Sequence, residues 1–342
     1  MQLAKAKNHA HASNCLTGAI VQPCRGEYHD QDWSSLVTSP PSPSRVFPSE
    51  GIVYALLAYV SWGLFPLYWK LFGATSLLEI LCHRMIWSVV FLGVLVLVWR
   101  KTAEVRAVLR QGRILAALLL TASLLTANWG FFIYGVASEQ VVQTSLGYFL
   151  NPLVSILLGR FFLKEGLTRR QKVAVGLAAA GVIQFGWGLG QIPWIAIGLA
   201  TTFAFYGLIR KIVAVTPLVG LLVETGLMTP LALALVLNLS IRDQTTFGGD
   251  PRLTLLYLGT GVVTALPLMW YHHAVKQLPF SLMGILQYLA PSLQLLVGVM
   301  IFKEEFPARQ GFAFVLIWIA IAIYLSSLVR GQTKPLAVPS AD

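Results

Sequence analysis

The sequence predicts an all-α polytopic membrane protein, with ten transmembrane helices arranged as two inverted five-helix repeats. Three observations lead there. Of 342 residues, 56% are hydrophobic and only 11% are Asp, Glu, Lys or Arg, against roughly 25% in a soluble domain. The net charge of +11 lies between the apolar runs. Up to Glu50, four basic residues (Lys5, Lys7, Arg25, Arg45) balance four acids (Glu27, Asp30, Asp32, Glu50), so the whole excess belongs to the apolar remainder. The fourth and ninth apolar runs also repeat one another. This composition excludes an ordinary cytosolic enzyme, a nucleic-acid binder and a disordered scaffold. Cys15, Cys24 and Cys82 form no C-x-x-C pair, so neither a disulfide framework nor a zinc site is implied.

Residues 1–50 read as a disordered leader or an over-extended start. They hold Ser34, Ser35, Pro40, Pro41, Pro43 and Pro48 and no apolar stretch long enough to bury. The h-region of a signal peptide is missing, and Glu27, Asp30 and Asp32 count against a transit peptide. From Gly51 onward come ten apolar segments: 51–71, 77–99, 114–136, 141–163, 172–189, 192–209, 218–238, 253–273, 279–302 and 310–329. Each is long enough to cross about 30 Å of hydrocarbon. Only helices fit, because lipid offers the backbone no partners. Residues 51–189 make the first half, 190–330 the second and 331–342 a cytoplasmic tail. The longest connection is the polar 239–252 stretch.

Lys/Arg counting sets the orientation. On the side of the N-terminus, the connections after Gly51 and the tail carry fifteen: Arg100, Lys101, Arg106, Arg110, Arg113, Arg160, Lys164, Arg169, Arg170, Lys172, Arg210, Lys211, Lys276, Arg330 and Lys334. The other side carries five: Lys70, Arg242, Arg252, Lys303 and Arg309. Both termini are therefore expected in the cytoplasm.

The repeat is read at an offset of 139 residues. Leu150, Pro152, Leu157, Gly159, Lys164, Glu165 and Gln171 meet Leu289, Pro291, Leu296, Gly298, Lys303, Glu304 and Gln310. The copies lie five spans apart, an odd number, so they cross in opposite senses. Glu79 and Glu224 form a weaker echo in the second span of each half. Ser145, Tyr148, Pro152, Ser155 and Gly159 form one stripe of small, polar or kinking residues along the fourth span. Gly284, Gln287, Pro291, Gln294 and Gly298 form its mate. Each proline removes a backbone hydrogen bond and frees a carbonyl mid-membrane. Paired proline-interrupted spans point to a transport site; plain helix packing with tolerated kinks is the competing account. Asn151 and Tyr288 adjoin the stripes.

Polar residues within the spans add candidates. Arg84 must snorkel, pair or face water, because it stays charged. A structural anchor and a substrate-anion contact are both open, and Glu79 is a plausible partner despite poor i to i+5 geometry. Glu224 is a membrane carboxylate able to carry a proton, or else half of a structural pair with a basic residue such as Lys211. Asn128 needs a hydrogen-bond partner, and Trp129 offers a stacking face. Trp62–Gly63 and Tyr206–Gly207 place aromatic–glycine pairs in the first and sixth spans, and His272 and His273 read as interfacial. No G-x-x-x-x-G-K-[ST], H-E-x-x-H or G-x-S-x-G motif occurs, and no cofactor, metal or nucleic acid is implied.

Several runs together resemble one family: His83-Arg84-Met85-Ile86-Trp87-Ser88, Asn128-Trp129, Ser145-Leu146-Gly147-Tyr148-Phe149-Leu150-Asn151-Pro152-Leu153, Phe205-Tyr206-Gly207-Leu208-Ile209-Arg210-Lys211, Glu224-Thr225, Gln287-Tyr288 with Pro291, and Ile317-Trp318. The chain resembles the RarD subfamily of EamA-type transporters, in the drug/metabolite transporter superfamily, over about residues 51–330. The resemblance implies ten helices, two inverted five-helix halves, a central cavity and residence in the bacterial inner membrane. The expected function is secondary transport, as an exporter, of a small organic metabolite or drug by alternating access. The expected contacts are Tyr148, Asn151, Gln287, Tyr288, Arg84, Asn128 and Trp129 for substrate, Glu224 for coupling, and Pro152 and Pro291 for cavity shape. The expected partners are a small-molecule substrate, the lipid bilayer and, as an open alternative, a second copy of the chain. One rival is an intramembrane enzyme acting on a lipid or sugar-phosphate through Glu79, His83, Glu224 or His272-His273. Another is a non-transporting sensor or assembly partner, for which the chain lacks a sizeable soluble domain.

Overall fold

The computed structural model describes residues 48–138, 140–186, 192–303 and 308–332. The expected leader lies outside the described residues except for Pro48, Ser49 and Glu50. Glu304 and most of the 331–342 tail also lie outside them. Among the described residues the chain is helical throughout, without a strand: α1 Ser49–Trp69, α2 Leu77–Val98, α3 Thr102–Arg110, α4 Gly112–Ala137, α5 Val141–Phe161, α6 Arg169–Gly186, α7 Trp194–Ile212, α8 Pro217–Ile241, α9 Pro251–Gln277, α10 Phe280–Gln287, α11 Leu289–Leu296 and α12 Ala308–Gln332. The molecule is an all-α polytopic membrane protein. Eight helical stretches are long and apolar enough to cross a bilayer. α5 and α6, at the fourth and fifth expected positions, are not among the eight, so that criterion gives eight rather than ten. α5 lies against α7 and α10, and those helices shelter its polar residues from lipid.

Two elements differ from the sequence expectation. The connection after the second span contains α3, an amphipathic helix whose Val108 is buried against Leu118, Val215, Val219 and Val223. Its apolar side is too short to span but long enough to lie along the bundle. The ninth span is broken: α10 stops at Gln287, Tyr288 breaks the α-helix, and α11 is followed by a π-helical turn over Val297–Ile301. Pro291 lacks the N–H that would bond the Gln287 carbonyl four residues back. In α5 the helix runs on through Pro152. The two expected kinks are thus unequal: one halts the α-helix, the other leaves it continuous.

Packing joins α2 to α8 and α9, α1 to α9 and α11, α4 to α7, α5 to α7 and α10, and α6 to α12. An aromatic cluster of Tyr59, Trp62, Phe203, Tyr206 and Tyr271 fills the junction of α1, α7 and α9. The ends of α7 and α9 cap each other. Lys211 Nζ donates to Val275 O at 2.8 Å and Leu278 O at 2.6 Å, while Lys276 Nζ donates to Val213 O at 2.9 Å and Val215 O at 2.5 Å.

The non-glycine residues with positive φ come in two pairs, Arg100 with Asp243 and Lys164 with Lys303. The first pair closes the second span of each half with one ladder. Lys101 N donates to Val96 O at 2.8 Å, as Gln244 N does to Leu239 O at 2.9 Å; Arg100 N and Asp243 N each donate at 3.1 Å, to Leu97 O and Ser240 O. These are Schellman-type ends. The second pair consists of the lysines matched at the 139-residue offset.

Glycine at 63 is required by close approach: a Cβ there would lie 2.5 Å from Leu293 Cβ. Gly63→Val should lose about 1–3 kcal/mol of stability through overpacking, read as a lower melting temperature in detergent. An unchanged melting temperature would mean that α1 and α11 are not in backbone contact.

Candidate functional site

Two polar centres occupy the bundle. The first is built on Arg84 of α2. Its Nε donates to Thr264 Oγ1 of α9 at 2.9 Å. Its Cζ stands 4.9 Å from the Trp69 ring centroid and 5.3 Å from that of Trp129, both within cation–π range. Tyr148, 37% exposed, lies near the guanidinium and meets Phe132 at 6.3 Å. Of the sequence candidates, Arg84, Trp129 and Tyr148 are therefore together. Trp69 and Thr264 complete the centre and had been missed, since an aromatic and a threonine in an apolar run carry no signal of their own.

Glu79 does not partner Arg84, correcting that expectation. Its Oε1 accepts from Thr245 Oγ1 at 2.7 Å, Thr246 N at 2.8 Å and Phe247 N at 3.2 Å, and its Oε2 from Thr246 Oγ1 at 3.0 Å. It fastens the 239–252 connection. His83, beside it in space, stacks on Phe247 at 4.6 Å and accepts from Trp87 Nε1 at 3.2 Å.

The second centre is a closed network across α4, α7, α8 and α9. Thr121, Tyr206, Arg210, Glu224 and His272 are each 0% exposed. Glu224 Oε1 accepts from Thr121 Oγ1 at 2.5 Å and lies 3.5 Å from Arg210 Nε. Arg210 Nη2 is 3.1 Å from His272 Nδ1, His272 Nε2 is 2.6 Å from Tyr206 Oη, and Tyr206 Oη donates to Glu224 Oε2 at 3.5 Å. Arginine only donates, so Nδ1 accepts and the neutral imidazole carries its proton on Nε2. The chain of donors then runs from Arg210 through His272 and Tyr206 to Glu224. Gly220 makes room, because a Cβ there would run into the Arg210 guanidinium.

Two expectations are corrected here. The partner of Glu224 is Arg210, not Lys211, whose ammonium caps α9. His272 is interior rather than interfacial; His273 stacks on Tyr54 at 5.0 Å. Arg210 opens a basic pair after an apolar run and so read as a connection charge.

The remaining candidates occupy packing positions. Asn128 Nδ2 donates to Leu199 O at 2.8 Å and Thr202 Oγ1 at 3.0 Å, tying α4 to α7. Asn151, buried, accepts from Ser155 Oγ at 3.2 Å. Gln287 is 8% exposed, and Tyr288 is fully buried with a hydroxyl lacking a partner among the described residues. A Cβ on Gly284 would lie 2.7 Å from the Pro152 carbonyl oxygen, so the stripes meet as a seam between α5 and α10. Glu165 accepts from Phe280 N at 2.5 Å and Ser281 N at 2.8 Å, capping α10. Among the described residues, no group of three or more His, Cys, Asp or Glu side chains is placed to hold a metal ion.

Comparison with known proteins gives a consistent picture. The model of the EamA-like transporter family matches residues 49–186. A protein named RarD from Streptomyces exfoliatus is 42% identical over 288 residues, covering 84% of this chain and 91% of the relative. An uncharacterized transporter, YojE, from Bacillus subtilis is 40% identical, covering 82% and 95%. A chloramphenicol-sensitive protein RarD from Pseudomonas aeruginosa is 33% identical, covering 80% and 93%. A solved crystal structure with 19% identity shares the fold, with a TM-score of 0.64 over 82% of this chain and 98% of the other.

Proposed function

The chain belongs to the RarD subfamily of the EamA-like transporter family, and from that premise we propose that it exports a small organic metabolite or drug as a secondary transporter, by alternating access. A multi-pass membrane transporter of the drug/metabolite class is what the relatives support. The single observation that carries the finer reading is the pairing of helix ends across the two halves, Arg100 with Asp243 and Lys164 with Lys303. That pairing supports two inverted units, residues 51–189 and 190–330, able to rock about a site between them.

In this proposal Arg84, Trp129 and Tyr148 contact the solute. Asn151, Gln287 and Tyr288, buried at the α5–α10 seam, meet the path when that seam opens, Asn128 holds α4 in place, and Pro152 and Pro291 shape the path. Glu224 couples the cycle to protons. Glu224 Oε1 lies 3.5 Å from Arg210 Nε, so in this reading proton uptake goes with opening of this pair during the cycle. The protein is placed in the bacterial inner membrane with both termini cytoplasmic, by the Lys/Arg bias of its connections. Solute flux in proteoliposomes tests the function: gradient-driven flux of metabolites or antibiotics supports it, and turnover of a lipid or sugar-phosphate without flux would favour the enzyme.

Orientation gives a separate prediction. Single cysteines near Arg106 and Arg169 should resist an impermeant thiol reagent in intact cells, and one near Gly248 should react. The opposite pattern would invert the proposed topology.

A further inference from the structure

Among the described residues, every other charged side chain held inside the bundle has a built-in partner. Glu79 takes four hydroxyl or amide donors, Glu224 and Arg210 have each other, and Lys211 and Lys276 cap helix ends. Arg84 has none of this. Among the described residues its single hydrogen bond goes to the neutral Thr264 hydroxyl, and the ion pairs are Lys101–Glu104 and Arg210–Glu224. A guanidinium keeps its charge, and an unpaired charge within a membrane span is costly. Trp69 and Trp129 offset part of that cost through their π-faces. Their contacts leave both Nη nitrogens, the edge that grips an oxyanion with two parallel N–H bonds, without a partner. Tyr148, partly exposed, stands at the same place. The site therefore offers one fixed positive charge, a bidentate donor edge and two aromatic walls, Trp69 and Trp129, with Tyr148 nearby.

Resting on the transport reading above, we propose that Arg84 is the anion-recognition residue of the solute site. Its ligand is a small organic monoanion: a carboxylate paired with the Arg84 edge, carried on a flat apolar body that lies against Trp69, Trp129 and Tyr148. One fixed charge neutralises one carboxylate, so mono-acids are preferred over di-acids and over neutral analogues. The acceptor oxyanion has two sources, a free solute or the phosphate of an anionic lipid; the open edge together with the aromatic walls fits the solute.

The test uses the purified full-length chain in neutral detergent. Benzoate and indole-3-acetate are compared with their amides, benzamide and indole-3-acetamide, by thermal unfolding and equilibrium binding. Both acids should raise the melting temperature, and both amides should leave it unchanged. Arg84→Gln should weaken acid binding by about tenfold or more, the loss of a charge-assisted hydrogen bond. Arg84→Lys, which keeps the charge and serves if the Gln variant does not fold, should retain weakened binding. Trp129→Leu should weaken it severalfold with the cation intact. Equal shifts from acids and amides, no shift from either acid, or full binding by Arg84→Gln would overturn the assignment. So would an Arg84-dependent shift produced by phosphatidylglycerol and not by the acids, which identifies a headgroup site. Flux in proteoliposomes separates the two proposals. Solute flux unaffected by Arg84→Gln removes this site and leaves transport standing; acid binding without flux of any solute does the reverse.

Discussion

Glu224→Ala should cost about 3–5 kcal/mol of stability, the loss expected when one partner of a buried ion pair is removed. Arg210 is 0% exposed, and the Glu224 carboxylate is its only counter-charge among the described residues. Without the carboxylate the guanidinium remains in the bundle uncompensated, and the Thr121 and Tyr206 hydroxyls lose their acceptor. The desolvation cost of the cation, rather than the attraction itself, sets the magnitude. A double change, Glu224→Leu with Arg210→Met, removes both charges and fills similar volume, and should recover most of the loss. Thermal unfolding in detergent measures both variants. A Glu224→Ala protein within about 1 kcal/mol of the parent would mean that Arg210 reaches water once unpaired, and the network would not be a closed one.

Glu224→Gln should abolish proton-driven accumulation of solute while leaving solute exchange in place. The amide keeps the size and its carbonyl oxygen can still accept from one of Thr121 and Tyr206, but it neither ionises nor holds Arg210 by charge. Each charge moved across the membrane contributes about 2.3 kcal/mol per 100 mV, so losing the titrating group removes the drive rather than trimming it. Accumulation against a gradient and counterflow exchange, measured in the same proteoliposomes, distinguish the outcomes. Accumulation with unchanged pH dependence in Glu224→Gln would leave the network a structural brace. His272 supplies a control: His272→Gln interrupts the donor chain between Arg210 and Tyr206 without touching the carboxylate. It should slow coupled uptake and leave exchange near normal.

The helices were legible because each had to be long, apolar and internally bonded, and composition alone records that demand. The broken ninth span was legible in part: Pro291 marked a weak point, but nothing local says that α10–α11 breaks while α5 absorbs Pro152. Helix α3 was hidden because nine residues carry too short a period to separate from a charged connection. In the polar centres, Arg84, Trp129 and Glu224 stood out as expensive residues in apolar runs. Their partners did not. Arg210 sat at a run's end and read as a connection charge, His272 read as interfacial, and Glu79 was offered to Arg84 when four backbone and hydroxyl donors of Thr245, Thr246 and Phe247 claim it. Charge within a span is visible in one dimension; the identity of its partner depends on which helices meet, and that pairing is set by side chains scattered over the whole chain.

The claim at the centre of this account is that Arg84, Trp129 and Tyr148 lie at a site opened in turn to each face of the membrane. Tyr148→Cys in a chain otherwise free of cysteine, treated with an impermeant thiol reagent in right-side-out and in inverted vesicles, tests it most directly. The account predicts modification from both faces, slowed from both by a transported solute. Modification from one face alone, indifferent to solute and to any imposed gradient, would contradict it.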